Sequence, residues 1–256
     1  MNCYFIMCSS PNVEGREWIQ KSSAIRSFVA LFSDVRHAVS KHGVDYDALT
    51  AHARPDLDEQ IAKIAATSLD ELPSLEHRLA FHINAYNLYV IRTVLDLRQN
   101  NASFRRNGLR SRFWFLRFFL ARRIVVAGRR MSLHHLEHRI IRKRFSEPRI
   151  HFALNCASVS CPILRNGLYS PEHLDDELDK ATKGFLATER GARRSGDTLE
   201  VSRIFKWYAK DFGGHAGVVR FLVEHLPEQL NLWVQDSSPS IKFMSYDWRL
   251  NAHASG

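Results

Sequence analysis

The residues best suited to chemistry lie together in the segment His151-Phe-Ala-Leu-Asn155-Cys156-Ala-Ser-Val-Ser-Cys161. A cysteine thiolate is a strong nucleophile, a histidine can act as its general base, and small residues let backbone N–H groups approach an oxyanion. This composition indicates a thiol-dependent hydrolase or acyl transferase acting on amide or thioester bonds, with Cys156 as nucleophile and His151 as base. A purely structural interpretation, in which a free cysteine is buried in a tight loop, fits the same residues equally well.

The spacing of this pair sets a condition on the enzyme interpretation. Ile150–Asn155 is a short apolar run that predicts a central strand, which would separate His151 from Cys156 by roughly 16 Å. The two side chains can meet only if the chain turns sharply before Cys156. Otherwise each of them pairs with another group.

Glu137 is the candidate for a residue that orients the histidine, because it is the only acid between Arg105 and Arg144. It could instead be the buried partner of an ion pair. Asn84 and Asn87 lie one turn apart on the inner face of a predicted helix. Buried amides cost free energy unless they are hydrogen-bonded. The two amides therefore either tie the helix to a neighbouring loop or strand, or face a substrate or the catalytic histidine.

A metal site is considered at His134 and His138, which lie four residues apart on one helix face. Such a pair can bind zinc when a carboxylate assists, but Glu137 does not have the position that a zinc-binding His-Glu-x-x-His motif requires. We therefore predict no metal, and nothing in the sequence indicates a cofactor.

The net charge of +9 is concentrated in one segment. Residues 105–149 contain fourteen Lys and Arg against two acids, a balance of +12, so the rest of the chain carries −3. Such a segment is either a solvated arginine-rich face or a docking surface. The second interpretation gives the alternative function, a non-catalytic interaction domain that docks on an acidic protein or an anionic membrane surface through residues 105–149, with Arg105, Arg106, Arg110 and Arg112 as docking residues. Aromatic residues between the arginines at Phe113–Phe119 suit a membrane interface or, less well, nucleic acid. They could also be core residues covered by arginine stems.

Cysteine usage and the N-terminus bear on the compartment. Four cysteines, in the pairs Cys3/Cys8 and Cys156/Cys161, are too few for a disulfide scaffold in a chain of 256 residues. The N-terminus lacks a basic segment and an apolar stretch long enough for a signal peptide. We therefore expect a cytoplasmic protein, or an exported one if the start site is placed too late. No apolar stretch approaches the length of a membrane-spanning helix.

Periodicity predicts the elements that position these residues. After a disordered segment 1–15, a single domain 16–256 is expected. Its predicted helices are Trp18–His42, Leu57–Ala66, Leu75 to about Leu97, Ser132 to about Phe145, Ser170 to about Ala187, a helix that begins after Ser202 and ends near Gly213, and His215–Leu226. A polar loop is predicted at 98–112, a hairpin at Arg123–Met131 and strands at Ile150–Asn155, Leu199–Val201 and Ile241–Tyr246. The fold class is a helix-rich α+β domain around a small, mostly antiparallel sheet.

Several segments together resemble a known family. They are Phe81–Asn87, Gly128 through Ser132 to Glu137, His151–Pro162, Ile204–Tyr208 with Asp211-Phe212, and Tyr246–Asn251. In this order they resemble the domain of unknown function family 547, found in bacteria and plants, over roughly residues 44–251. The resemblance implies a distant similarity to papain-like and transglutaminase-like thiol enzymes, but no settled activity. The family's motif positions here are Asn84, Asn87, Glu137, His151, Cys156, Cys161, Tyr208, Asp211 and Asp247. The basic region at Arg105–Arg130 departs from the family and indicates a partner specific to this lineage.

Overall fold

The computed structural model describes residues 38–40, 43–165 and 167–253. The predicted disordered segment 1–15, the cysteines Cys3 and Cys8 and nearly all of the helix predicted at Trp18–His42 lie outside these ranges. Val39–Ser40 (β1) pairs antiparallel with Gly43–Val44 (β2), so the predicted helix is wrong at Val39–Ser40. Gly43 has φ +142°, and a Cβ there would collide with the carbonyl of Asn251, so glycine is required.

Two helices pack side by side at the start of the described domain. Tyr46–Ala48 (α1) continues through a π-helical turn at Leu49–Ala53 into Arg54–Ala66 (α2), and Asp45 caps α1 by accepting from two backbone N–H groups. The long helix Leu75–Asn100 (α3) confirms the prediction and extends it by one turn. It begins at Ser74, whose hydroxyl accepts from the His77 N–H, and most of its residues are buried.

The segment after α3 differs from the polar loop predicted at 98–112. Ala102–Asn107 (α4) is helical, and Arg112–Leu116 (α5) continues as a π-helical turn at Arg117–Ala121. Phe104 on α4 is fully buried and packs edge-on against Trp114. Burial of this one aromatic ring explains why a polar sequence is helical here.

The predicted hairpin is confirmed, with Ile124–Val126 (β3) antiparallel to Arg129–Met131 (β4). Its turn residues Ala127 and Gly128 both have positive φ, the geometry of a tight hairpin turn. Their N–H groups donate to the carbonyls of Ile64 and Ala65, so the turn also caps the end of α2.

A continuous helical segment follows, as predicted from Ser132. It consists of Leu133–His135 (α6), a π-helical turn at Leu136–Ile141 and Arg142–Arg144 (α7). The strand predicted at Ile150–Asn155 is wrong, because Ile150–Ala153 is a short helix (α8). A four-residue apolar run is compatible with either structure, and here both faces of α8 are buried.

The C-terminal part is built around a three-stranded sheet. Leu174–Leu186 (α9) precedes the hairpin Ala192–Ser195 (β5) and Thr198–Val201 (β6), and Ser240–Phe243 (β7) adds to β6 in parallel. The helix predicted after Ser202 is only Ile204–Trp207 (α10). Gly214–His225 (α11) and Glu228–Ser237 (α12) complete the part.

Two hydrophobic clusters form the interior. The larger extends from Ala38 to Leu178, and the smaller contains Phe152 together with residues from Phe185 to Leu226. The prediction of a helix-rich α+β domain is confirmed. Its strands form small separate sheets in the described ranges, one of them mixed. None of the described helices has both the length and the apolar character needed to cross a membrane.

Candidate active site

A cavity of about 100 Å³ is lined by residues between Tyr86 and Pro162 and by residues between Ile204 and Trp248. The polar and titratable side chains that line it are Tyr86, His134, Glu137, His138, His151, Cys156, Cys161, Tyr208 and Tyr246. Aromatic side chains form a wall of it, namely Phe115, Phe119, Trp207 and Trp248. The cavity therefore combines a thiol, several titratable groups and an apolar surface, which is typical of small-molecule sites.

The Cys156 thiol is surrounded by hydrogen-bonding groups. Its Sγ lies 3.0 Å from Ser158 Oγ and 3.2 Å from the Tyr246 hydroxyl. Burial opposes ionisation of this thiol, but hydrogen bonds from Cys161, Ser158 and Tyr246 outweigh burial and lower its pKa to about 7. Near neutral pH a large fraction of Cys156 is thus the nucleophilic thiolate.

Cys161 is a second thiol beside the first. The backbone N–H of Cys156 donates to Cys161 Sγ at 2.7 Å. Burial, with the neighbouring Cys156, raises the pKa of Cys161 well above its ordinary value, so Cys161 stays protonated and can donate to the Cys156 sulfur. Both cysteines are free thiols.

Asparagine side chains hold the loop that carries Cys156. The Asn87 amide donates to the Ala153 carbonyl and accepts from the Asn155 N–H, both at 2.9 Å. The Asn155 amide donates to the Pro162 carbonyl and accepts from the Ala157 N–H. These bonds stabilise the sharp turn after α8, where Ala157 has φ +61°.

His151 pairs with an acid distant in the sequence. Its Nε2 lies 2.8 Å from Oδ2 of Asp211, and its ring stacks on Tyr208 with centroids 3.9 Å apart. Asp211 also accepts two hydrogen bonds from Arg142. Burial disfavours the charged carboxylate, but the bonds from His151 and Arg142 prevail and hold the pKa of Asp211 well below its usual range. Asp211 is therefore ionised and fixes the orientation of the imidazole.

Glu137 is buried and does not contact His151, so it does not orient that ring; its Oε1 lies 3.7 Å from His138 Nε2. Its carboxylate accepts from the Tyr208 hydroxyl at 2.7 Å and from the Tyr86 hydroxyl at 3.2 Å. Burial, and next the Glu137 charge, raise the pKa of both tyrosines, so both remain donors. Asp211 is the acid that contacts His151, and Glu137 lies behind the tyrosine on which that imidazole stacks.

The candidate residues from the sequence fall into two groups. Cys156, His151 and Glu137 line the same cavity. However, no hydrogen bond joins His151 to Cys156 in the described structure, so the histidine does not act directly on the thiol in this state. Asn84 is elsewhere: its amide donates to the Tyr169 carbonyl and accepts from the Tyr169 N–H.

The remaining candidates lie at the edge of the site or outside it. Asp247 forms an ion pair with Arg249, and its N–H donates to Ser160 Oγ. The docking candidates Arg105, Arg106, Arg110 and Arg112 are all exposed. Arg105 also donates to the Arg98 carbonyl.

Four contributors were not identified as site residues from the sequence, namely Tyr86, Arg142, Ser158 and Tyr246. Tyr86 lies in a predicted helix, Tyr246 ends a predicted strand, and Arg142 is one of fourteen basic residues in 105–149, so none of them had a signal of its own. Only Ser158 had a local signal, its position two residues after Cys156. Within the described ranges, no three His, Cys, Asp or Glu side chains are grouped so that they could hold a metal ion.

Comparison with known proteins relates the central part of the chain to one family. No curated protein and no solved structure matches the chain significantly. Residues 69–186 match the family model described as "Protein of unknown function, DUF547". This region contains Glu137, His151 and Cys156, whereas Tyr208, Asp211 and Tyr246 follow it in the chain. This match supports, over residues 69–186, the resemblance to the DUF547 family that the segments indicated.

Proposed function

We propose that this protein is a thiol-dependent hydrolase or acyl transferase that acts on amide or thioester bonds. The observation that carries the proposal is the Cys156 thiol of lowered pKa, which faces the same cavity as a histidine paired with an ionised aspartate. Nucleophile, proton-transfer group and orienting acid are the parts that thiol acyl transfer needs.

The nucleophile in this proposal is activated by hydrogen bonds rather than by direct contact with histidine. Cys161, Ser158 and Tyr246 stabilise the Cys156 thiolate, which attacks the carbonyl carbon of the substrate and forms a C–S bond. The carbonyl oxygen takes up the electron pair in a tetrahedral intermediate. Collapse of that intermediate breaks the bond to the leaving nitrogen or sulfur.

His151 supplies the proton for this leaving group. Because its Nε2 is bound to Asp211, Nδ1 is the nitrogen that exchanges a proton with the substrate. In the second half-reaction the neutral imidazole takes a proton from water, or from an acceptor nucleophile, as that molecule attacks the acyl-thioester. Release of the acyl group then regenerates the thiolate, and Asp211 stabilises the imidazolium in both halves.

Arg142 and Glu137 are positioning residues in this scheme. Arg142 binds both oxygens of Asp211, and its guanidinium lies 4.6 Å from the centre of the Tyr208 ring. Glu137 fixes the hydroxyl of the same tyrosine. The two residues thereby set the plane on which the His151 imidazole stacks.

The test is the formation of a covalent acyl-enzyme. The protein is incubated with p-nitrophenyl acetate at neutral pH and followed by intact-protein mass spectrometry and peptide mapping. We expect addition of one acetyl group at Cys156 and none in Cys156→Ala, while Cys161→Ala keeps the adduct. His151→Gln should still be alkylated by iodoacetamide but should release the acetyl group at least ten times more slowly. A wild-type protein that acquires no acetyl group at Cys156 would refute the proposal.

A further inference from the structure

An apolar strip is exposed along one helical segment, which consists of α5 and the π-helical turn that follows it. Phe113, Leu116 and Leu120 have exposed fractions of 62%, 45% and 38%. Their spacing of three and four residues puts them on one face of the segment. The opposite face, with Trp114, Phe118 and Phe119, is buried in the larger cluster. The segment is therefore apolar on both sides, although only one side contributes to the core.

Four arginines around the strip have no carboxylate partner among the described residues, whereas Arg122 at its end pairs with Asp96. Arg112 and Arg117 lie within the segment, and Arg106 and Arg123 flank it; all four are exposed. None of the four forms a salt bridge with a residue of the described ranges, and no acid occurs between residues 105 and 130. Arginine with exposed large apolar side chains on one helix face is the pattern of interfacial helices, in which the apolar face enters the lipid and cations bind the headgroups.

We propose that the segment Arg112–Ala121 docks on the surface of an anionic membrane. Charge complementarity favours this occupant over a second copy of the chain, because two such faces would bring unpaired arginines against each other. An acidic protein would match the arginines, but the apolar strip has a direct counterpart in the acyl region of a bilayer.

The same segment also forms a wall of the cavity. Phe115 and Phe119 line it from the inner side, and Phe115 contacts Trp248, with ring centroids 5.2 Å apart. Trp248 stacks on Trp207, which is 44% exposed. Docking would thus bring the aromatic wall of the cavity close to the headgroup region. The docking itself does not depend on whether Cys156 is catalytic.

The experiment is flotation of the full-length protein with vesicles of phosphatidylcholine alone and vesicles that also contain phosphatidylglycerol. We expect binding only to the anionic vesicles, and weaker binding at physiological than at low salt because the Debye length is then about 8 Å. Arg112→Gln with Arg117→Gln should weaken the partition coefficient by about 30-fold, which corresponds to about 1 kcal/mol for each arginine at the surface. Lys180→Gln with Lys242→Gln, the same change of charge at other exposed positions, should leave it nearly unchanged.

The apolar strip is tested by a second pair of variants. Leu116→Ser with Leu120→Ser should reduce binding at least tenfold. Leu75→Ser with Leu232→Ser removes two exposed leucines, 64% and 56% accessible, from other surfaces and should not. Circular dichroism and melting temperature identify any variant that fails to fold. All measurements are repeated in Cys156→Ala, so that a failed docking proposal is distinguished from a failed catalytic one.

Several results would overturn the docking proposal. The first is absence of binding to anionic vesicles at low salt. The second is an equal loss in the test variants and in their matched controls, which would indicate nonspecific attraction. The third is binding to polyglutamate that depends on the arginines but not on the leucines, which would indicate an acidic protein partner. The fourth is a dimer, detected by light scattering, that Leu116→Ser with Leu120→Ser dissociates, which would make a second copy the occupant.

Discussion

At the scale of single residues, the Cys156 thiol has neighbours that compensate for its burial. A buried thiolate loses its hydration, which raises the pKa unless protein groups donate hydrogen bonds in place of water. Ser158, Tyr246 and Cys161 provide these donors. Tyr246 itself remains protonated, because burial and then the neighbouring Cys156 charge raise its pKa well above the ordinary value.

This arrangement predicts the effect of removing one donor. Tyr246→Phe should raise the pKa of Cys156 by roughly 1 to 2 pH units, since a hydrogen bond to a charged group contributes about 1.5 to 3 kcal/mol. The measurement is the rate of alkylation of Cys156 by iodoacetamide as a function of pH, with peptide mapping to separate it from the other cysteines. At neutral pH the variant should react more slowly than the wild type, and at high pH the difference should disappear.

The control for this substitution is Tyr169→Phe. Tyr169 is also a buried tyrosine, but it does not contact the Cys156 thiol. Its recorded hydrogen bonds join its backbone to the Asn84 amide. Its variant should titrate like the wild type. An unchanged midpoint for Tyr246→Phe would mean that the hydroxyl does not stabilise the thiolate.

At the scale of elements, the sequence was informative wherever a local pattern determined the structure. The apolar periodicity of α3 and the turn residues Ala127-Gly128 identified a helix and a hairpin. The four-residue apolar run of α8 was compatible with both a helix and a strand, and burial on all sides left no periodicity to decide between them. α4 was missed because a single buried side chain, Phe104, anchors an otherwise polar stretch.

The candidate site was predictable in part, for a related reason. His151 and Cys156 are close in the sequence, so their residue types could be interpreted together. Asp211 is 60 residues from His151 and lies after α10, and no local spacing connects the two. Only the resemblance to a family indicated Asp211, and it did not say which residue Asp211 would contact.

The Asp211 carboxylate joins two helical elements, because it binds Arg142 on α7 and His151 on α8. Asp211→Asn should lower the melting temperature at pH 7 by about 2 to 4 °C, which corresponds to about 1 kcal/mol for a bidentate, partly exposed ion pair. The folded-state pKa of Asp211 is depressed, so its contribution is present above the pKa of the unfolded chain and is lost as the pH falls through the folded-state value. The difference from wild type should therefore be constant down to about pH 5 and shrink below about pH 4.

Thermal melts from pH 7 to pH 3 measure this difference. Asp175→Asn is the matched control, because Asp175 also binds an arginine but its side chain is 86% exposed. Its effect should be a few tenths of a kcal/mol at most. A difference between Asp211→Asn and wild type that grows on acidification would contradict the assignment of the ion pair.

At the scale of the whole molecule, the site depends on both hydrophobic clusters. Cys156 and His151 lie within residues 69–186, the region that matches the DUF547 model. Tyr208, Asp211 and Tyr246 lie in the region around the smaller cluster. Phe152 connects the two regions: it follows His151 on α8, but its ring packs among Phe185, Phe205 and Phe221. Since α8 is anchored in the smaller cluster, we expect that loss of this cluster would also displace His151.

If residues 16–256 form a single domain, as predicted, the two hydrophobic clusters should unfold together. Phe221→Ala removes an aromatic ring from the smaller cluster and should destabilise the protein by about 3 to 5 kcal/mol. If the clusters unfold together, native-state hydrogen exchange should show an equal loss of protection in α3 and in α11. Leu95→Ala in the larger cluster should destabilise the protein by about 2 to 5 kcal/mol and should also reduce protection equally in both helices. If Phe221→Ala lowers protection in α11 and leaves α3 unchanged, the chain contains two independent units, and the cavity between them depends on how the units associate.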